Sequence, residues 1–181
     1  MIFENSFIEG VYKIIPAPFS DERGEFQRNF CSREFAKRGL DARVAQANLS
    51  LNTTAGTVRG FHFQKDLFSE AKTLTCLKGS IFDVVVDLRR GSETFGQVQT
   101  YTISDHSRES IHVPKGCANA FQTLEDDTLV HYYCSEFYSP QHEAGFCPLD
   151  SALEISWPTA VTQISEKDRL APCFRDAVCD S

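Results

Sequence analysis

Residues 56–64 read Gly-Thr-Val-Arg-Gly-Phe-His-Phe-Gln. β-Branched and aromatic residues between turn-forming positions predict a β-strand over 57–64. In a regular strand Arg59 and His62 would point to opposite faces, because side chains alternate with period two. Gly60 between them allows a β-bulge, which resets the alternation and is frequent beside active sites. We therefore expect Arg59 and His62 to face one cavity, which is the candidate active site.

Strand signals also dominate the rest of the chain. Short β-branched or aromatic segments alternate with Gly, Pro, Asn or Asp and no helical crossovers intervene, which predicts an antiparallel sandwich or barrel in one domain, 1–181. A short helix is expected over 32–39, with Ser32 as the N-cap candidate. The other predicted strands cover 10–15, 24–30, 42–50, 72–77, 80–89, 98–104, 110–113, 118–124, 129–135 and 153–155.

The predicted strand over 80–89 has the clearest period-two pattern. One face is apolar and the other is charged, which predicts a wet or functional face. The apolar set is Phe82, Val84, Val86 and Leu88, and the charged set is Asp83, Asp87 and Arg89.

The chain is acidic, with a net charge of -7. This charge disfavours nucleic-acid polymers and anionic membranes as partners, so a phosphorylated ligand would need a local basic cluster. We expect a cytoplasmic protein, because no signal-like N-terminal segment and no long apolar run occur.

The seven cysteines are irregularly spaced and include no Cys-x-x-Cys pair. That pattern favours reduced, mostly buried thiols over a zinc or redox site.

Two half-motifs resemble those of the cupin β-barrel: Gly56-x5-His62-x-Gln64 and Pro114-x-Gly116-x-x-Asn119. Metal-binding cupins have histidines where this chain has Gln64 and Asn119, and amides are poor ligands for transition metals. The resemblance implies an all-β jelly-roll cupin without a metal site, in which His62 is free for proton transfer. Taken alone, His62 could equally be a hydrogen-bonded core histidine.

Further motifs follow one another along nearly the whole chain: Asp21-x-Arg23-Gly24-x-Phe26, Gln46-x-Asn48-x-Ser50, residues 56–64, Ala71-Lys72, Gly79-Ser-Ile-Phe-Asp-Val-Val-Val-Asp-Leu-Arg89, Ser92-x-Thr-Phe-Gly96 and Ser165-Glu-Lys-Asp168. This series resembles the dTDP-4-dehydrorhamnose 3,5-epimerase family. The resemblance implies a homodimer of cupin barrels with N-terminal strand exchange and no cofactor. It also implies a nucleotide-diphosphate 4-keto-6-deoxy sugar as substrate, inverted at C3, C5 or both.

His62 suits the role of general base, since the ordinary pKa of an imidazole, about 6.5, lies near working pH. By similarity Asp168 pairs with His62, fixes its tautomer and stabilises the imidazolium. The alternative for Asp168 is a capping box with Ser165. We expect these two arrangements of Asp168 to exclude each other.

The resemblance assigns Lys72 to the enolate oxygen and Tyr132 to the acid, since a phenol with a pKa near 10 stays protonated at neutral pH. Taken alone, Lys72 is typical of a solvated strand residue and Tyr132 of a core or rim residue. Tyr133 should face the opposite way from Tyr132. The remaining implied contacts are Arg23 and Arg59 on the phosphates, Phe26 and Tyr138 against the base, and Gln46 and Asn48 as polar contacts.

Two positions depart from the family pattern. Arg28 stands where the family usually has Glu, and a guanidinium cannot accept the N3–H of thymine. A CDP- or GDP-linked sugar therefore stays open beside a dTDP-linked one, unless Arg28 points to solvent or to a phosphate. Asn119 replaces a His and removes a titratable group, which leaves a monofunctional 3- or 5-epimerase open. A metal-dependent cupin and a non-catalytic sugar-nucleotide-binding cupin are the alternatives of a different class.

Overall fold

The computed structural model describes the backbone of residues 1–179 and the side chains of residues 1–178. Within that range the chain forms two facing β-sheets, a small hairpin and three short α-helices. The helices are α1 (Ser32–Ala36), α2 (Glu166–Arg169) and α3 (Phe174–Cys179). The strands are β1 (Ile2–Asn5), β2 (Tyr12–Ile15), β3 (Phe19–Asp21), β4 (Gly24–Phe26), β5 (Gln46–Asn52), β6 (Thr57–Gln64), β7 (Lys72–Lys78), β8 (Ser80–Asp87), β9 (Val98–Ser104), β10 (Ser110–Val113), β11 (Cys117–Thr123), β12 (Thr128–Cys134), β13 (Glu143–Gly145) and β14 (Gln163–Ile164).

The strand order interleaves distant parts of the chain. The first sheet runs β1-β2-β10-β7-β12-β5, and the second runs β13-β6-β11-β8-β9. These neighbours are antiparallel, whereas β14 pairs with β6 in parallel. Two facing sheets with this interleaving confirm the predicted cupin jelly roll, with one parallel pair that was not expected.

An apolar core lies between the sheets, with Leu74 and Ile111 from the first sheet meeting Ile81 and Val85 from the second. A second apolar cluster covers the outer face of the second sheet, where α3 and the segment before it pack on β6, β8 and β11. β8 is therefore buried on both faces.

Of the wet or functional face predicted for β8, the wet alternative is wrong. Asp83 and Asp87 are both 0% exposed. Asp87 is satisfied by donors that the following turn supplies, namely the backbone and side chain of Arg89 and the hydroxyls of Ser92 and Thr94. The charged residues of this strand belong to a buried polar network, because both faces of β8 are covered and neither faces solvent.

Strand prediction worked best from β5 to β12 and failed in the segments before and after them. β6, β9 and β10 match their predicted bounds. The strand predicted over 153–155 is wrong, because Ser151–Leu153 form a 3₁₀ turn that ends at Glu154 with φ +51°. The hairpin strand ends at Phe26 instead of residue 30, and β5 begins at Gln46 instead of residue 42. β1, β3, β13, β14, α2 and α3 were not predicted.

The predicted helix begins at Ser32 as expected, but the N-cap is Cys31, whose side chain makes no capping hydrogen bond.

The six cysteines with described side chains are all free, and three of them, Cys76, Cys117 and Cys134, are buried. The expectation of free thiols is confirmed for these six, while burial applies to half rather than most. Cys179 lies outside the described side chains. Among residues 1–179, no helix is long and apolar enough to cross a membrane.

Candidate active site

The predicted bulge interrupts β6 between Arg59 and His62. His62 is opposite Asn119 on β11, but Arg59 is opposite Phe121, so β6 has one residue more than β11 in this interval. Gly60 has φ +120°, and a Cβ there would lie 2.6 Å from the Cβ of Ala120. Only glycine fits this backbone. The bulge turns Arg59 and His62 to the same side, and both line one chamber.

Two adjoining chambers open inside the barrel. One chamber, of about 200 Å³, includes Arg59 and Asn119 in its lining, and we call it the inner chamber because the core residues Leu74 and Phe121 also line it. The mouth chamber, of about 300 Å³, includes Gln46, Asn48, Glu70, Tyr138 and Glu143. Both chambers share the side chains His62, Lys72 and Tyr132, which therefore lie at the junction between them.

His62 and Asp168 form a hydrogen-bonded pair, with 2.8 Å between Nε2 and Oδ1. The other carboxylate oxygen accepts a hydrogen bond from the backbone N–H of Gly60 at 3.3 Å. Burial by itself would raise the pKa of Asp168, but the contacts with His62, with the Gly60 N–H and with Ser165 outweigh it and lower the pKa below its ordinary value. Asp168 is thus held as a carboxylate against the imidazole.

Ser165 caps α2 at the same time, since its Oγ accepts a hydrogen bond from the backbone N–H of Asp168 at 3.0 Å. Of the two arrangements expected for the Asp168 carboxylate, the structure shows the pair with His62, and only the Ser165 half of a capping box is formed beside it. Capping uses the backbone N–H of Asp168, whereas the pair uses its carboxylate. α2 therefore begins where it does because of Ser165, and this start places Asp168 beside β6.

Lys72 and Tyr132 face the junction from β7 and β12 of the opposite sheet. The ammonium of Lys72 donates to the backbone carbonyl of His62 at 3.1 Å and pairs with Glu70 at 3.0 Å. Burial raises the pKa of Tyr132, although the positive charge of Arg59 opposes the shift. Tyr133 packs on Phe30 and His131 on the other face, as predicted.

The mouth chamber is lined by polar groups from β5 and by the segment after β12. Gln46 and Asn48 are two residues apart on β5, so their side chains share one face of the strand. The backbone N–H of Tyr138 donates to the side chain of Gln46, and the Tyr138 hydroxyl donates to Glu143 at 2.8 Å. Lys167 of α2 also pairs with Glu143, at 2.6 Å.

A basic groove adjoins the junction on the side of α2. Arg59, Lys167 and Arg169 line it together with His62 and Asp168. Three cationic side chains in one groove form the local cluster that a phosphorylated ligand would need in a protein with a net charge of -7.

Comparison with known proteins agrees with this geometry. The model of the family described as dTDP-4-dehydrorhamnose 3,5-epimerase matches residues 5–176. The chain belongs to the dTDP-4-dehydrorhamnose 3,5-epimerase family. It is 40% identical over 175 residues to the enzyme of that name from Mycobacterium tuberculosis (strain CDC 1551 / Oshkosh), covering 93% of this chain and 85% of the relative.

Two further relatives extend the comparison. A dTDP-4-dehydrorhamnose 3-epimerase from Streptomyces niveus is 39% identical over 171 residues, covering 94% of this chain and 82% of the relative. The crystal structure of a dTDP-4-dehydrorhamnose 3,5-epimerase from Bacillus anthracis, with TDP and pyrophosphate bound, superposes with a TM-score of 0.92. That structure is 35% identical and covers 96% of this chain and 99% of its own. The similarity thus covers most of the Streptomyces niveus relative and nearly all of the Bacillus anthracis structure.

Three of the predicted site residues lie away from both chambers. Arg23 and Phe26 lie on the β3–β4 hairpin, where Phe26 is 73% exposed and Arg23 pairs with Asp21 at 2.6 Å. Arg28 lies in a groove beside Phe26. Within one chain the structure therefore assembles nine of the twelve predicted site residues, and it places these three elsewhere.

Asn119, the departure from the epimerase family on β11, is hydrogen-bonded to the carboxyl group of Asp83, which was not among the predicted site residues. Its Nδ2 donates to Asp83 at 2.7 Å and to the carbonyl of Val84 at 3.1 Å. Both protons of the amide are therefore used, which leaves its carbonyl oxygen for the inner chamber. The signal for Asp83 was the charged position inside an otherwise apolar strand.

Glu70 and Glu143 were also missed. Glu70 is two residues before Lys72, on the same side of the extended chain, and this spacing is the signal that could have revealed it. Glu143 reaches the site because β13 pairs with β6, a contact with no local signature. Among the described residues, no group of three or more His, Cys, Asp or Glu side chains is placed to hold a metal ion.

Proposed function

We propose that this protein is an epimerase that inverts C3 and C5 of a nucleotide-linked 4-keto-6-deoxy sugar, of the dTDP-4-dehydro-6-deoxyglucose type. The observation that carries the proposal is the His62–Asp168 pair at the junction of two chambers, which Lys72 and Tyr132 enter from the opposite sheet. A base and an acid on facing sheets match a reaction that removes a proton from one face and returns it to the other.

The C4 carbonyl of the sugar acidifies the protons on C3 and C5. His62 takes one of these protons, and Asp168 stabilises the imidazolium that results. The negative charge moves to the C4 oxygen, where the ammonium of Lys72 stabilises the enolate. Tyr132 then donates its proton to carbon from the opposite face. The raised pKa of Tyr132 keeps the phenol protonated until that step.

Arg59 is proposed to bind the diphosphate, with Arg169 beside it in the basic groove. Gln46, Asn48 and Tyr138 line the mouth chamber, where we place the nucleoside, with the Tyr138 ring against the base. The names of the compared enzymes contain dTDP, whose nucleoside is thymidine. Thermal shift with dTDP, CDP and GDP tests this choice, since the ligand that binds the folded state raises its melting temperature. Preferential stabilisation by CDP or GDP would contradict thymidine.

A homodimer with exchanged hairpins would bring Arg23, Phe26 and Arg28 to a site. The β3–β4 hairpin exposes two phenylalanines, Phe19 at 67% and Phe26 at 73%, and β5 exposes Leu49 and Leu51 on its outer face. Apolar area of this kind on a monomer marks a contact surface. We propose that the hairpin of one protomer covers the mouth chamber of its partner, with Arg23 on the phosphates and Phe26 against the base.

Mixed dimers test the exchange. H62N removes the proposed base from the barrel, and R23A/F26A removes the proposed substrate contacts from the hairpin. With exchanged hairpins, a mixed dimer contains one site with both an intact barrel and an intact hairpin. Co-expression of the two variants in equal amounts should therefore restore about a quarter of the wild-type activity. No recovery above the separate variants would contradict the exchange.

A second candidate function is inversion at C3 alone. Asn119 favours inversion at a single carbon, because its amide is bound to Asp83 and brings no titratable group to the inner chamber. The Streptomyces niveus relative carries a 3-epimerase name. Incubation with dTDP-4-dehydro-6-deoxyglucose followed by proton NMR tests both functions. Double inversion yields dTDP-4-dehydrorhamnose, inversion at C3 alone yields the C3 epimer, and unchanged substrate would contradict both.

We also propose a cytoplasmic location, on the ground that the six described thiols are free, as a reducing compartment keeps them.

A further inference from the structure

Glu70 is a buried carboxylate at the edge of the site with no role in the proposed chemistry. It is 8% exposed and lines the mouth chamber. Its Oε1 lies 3.0 Å from the Nζ of Lys72. Its Oε2 is buried and has no hydrogen-bond partner among the described residues. A pair with purely structural purpose would be expected to satisfy both oxygens, because a buried polar atom without a partner is unfavourable.

The ammonium of Lys72 has three N–H donors. One points to Oε1 of Glu70, and a second points to the backbone carbonyl of His62 at 3.1 Å. One donor is left for a ligand. Because the second acceptor belongs to His62 itself, the cation is fixed relative to the residue that is proposed to take the substrate proton.

The direction of the third donor follows from where the acceptors lie. Lys72 lines both chambers, whereas Glu70 lines only the mouth chamber. Glu70 therefore contacts the ammonium from the side of the mouth chamber. With that side occupied, we expect the free N–H to point to the inner chamber, whose lining also includes Tyr132 and Asn119.

We propose that Glu70 is a positioning residue that orients the ammonium of Lys72 toward the C4 oxygen of the sugar. This inference rests on the proposed role of Lys72 in stabilising the enolate. Glu70 acts through the place of its oxygen and does not touch the reacting carbons. Its removal should therefore lower kcat and leave KM nearly unchanged, because the contact matters more for the enolate than for the bound ketone.

Two conservative variants distinguish the effect of the position of the Glu70 oxygen from the effect of its charge. E70Q keeps an acceptor oxygen at the distance of Oε1 and loses the charge. E70D keeps the charge, but its side chain is one methylene shorter and no longer reaches Nζ. We expect E70Q to retain most of the wild-type kcat and E70D to lose about tenfold to a hundredfold, as misplacement of a group on this scale does. The opposite order would overturn the proposal.

A double-mutant cycle tests whether Glu70 acts through Lys72. We expect K72M and E70D/K72M to be equally slow, since Glu70 has nothing to orient once the ammonium is gone. If E70D lowers kcat by the same factor with and without Lys72, the positioning role is wrong. If K72M is slow and E70D has full activity, the Glu70 inference fails while the enolate assignment stands. Full activity in K72M would overturn both.

Melting temperatures show whether a variant is slow only because it is unfolded, since breaking a buried ion pair destabilises a protein. E109Q is the matched control. Glu109 pairs with Lys13 at 3.5 Å and lines neither chamber. It should keep wild-type kcat and KM.

Discussion

The imidazole of His62 and the carboxylate of Asp168 are 2.8 Å apart, although 106 residues separate them along the chain. β14 brings the later segment to β6 in parallel, and Ser165 then starts the helix that carries Asp168. We expect D168N to lower kcat by about a hundredfold or more, because an amide cannot stabilise the imidazolium as a carboxylate does. Steady-state kinetics measure this loss.

S165A is the control for the position of α2. It removes the cap and leaves the carboxylate, so it should lower the free energy of unfolding by about 1 kcal/mol and reduce kcat far less than D168N. Equal losses of kcat in both variants would mean that Asp168 matters for the helix and not for the base.

Tyr132 and Tyr133 are neighbours on β12 that face opposite sides, and they form a natural pair of variants. Y132F removes the proposed acid, so inversion should stop while exchange of the abstracted proton with solvent continues. Y133F removes a hydroxyl from a ring that packs on Phe30 and His131, and it should keep its activity. Product formation and deuterium exchange, measured side by side, distinguish the two. Unchanged turnover in Y132F would overturn the assignment of the acid.

Gly60 and Gly24 have nearly the same backbone angle, φ +120° and +121°, but different surroundings. A Cβ on Gly60 would lie 2.6 Å from Ala120, whereas a Cβ on Gly24 has no atom within 4 Å. G24A should lose about 1–3 kcal/mol from backbone strain alone. G60A adds a clash with β11 and should lose clearly more, or fail to fold. Denaturant unfolding measures the difference, and equal losses would contradict the close contact at the bulge.

Asp83 makes stability depend on pH. Burial raises its pKa to about 7, and the hydrogen bond from Asn119 offsets part of that rise. An unfolded Asp has a pKa near 3.9, so between about pH 4 and pH 7 the folded state keeps a proton that the unfolded state has lost. Asp83 therefore favours folding most below pH 4. That contribution falls by about 4 kcal/mol as the pH rises to 7.

D83N should remove this dependence. The free energy of unfolding of the wild type minus that of D83N should fall from pH 4 to pH 7 and then level off. Burial also lowers the pKa of His112, to about 4, which adds an opposite slope, but both proteins share it and it cancels in the difference. Parallel stability curves for the two proteins would contradict an uncharged Asp83.

The sequence predicted the parts of this site that local periodicity controls. Gln46 and Asn48 share a face because β5 is extended, and Gly60 marked the bulge because only glycine tolerates that backbone. Asp83 was missed as a site residue because its partner Asn119 comes from another strand, whereas Glu70 was missed although its spacing of two residues from Lys72 was a local signal. The motifs around Arg23 and Phe26 predicted contacts in the site, but the fold of one chain places both residues away from the two chambers.

The most direct test of the account is the site of deuterium incorporation from D₂O into dTDP-4-dehydro-6-deoxyglucose, with the wild type and H62N compared by NMR. The wild type should label both C3 and C5, and H62N should label neither. Deuterium at C3 alone would favour the second candidate function, inversion at C3 alone. Absence of label in the wild type, or equal labelling by H62N, would contradict proton abstraction by His62.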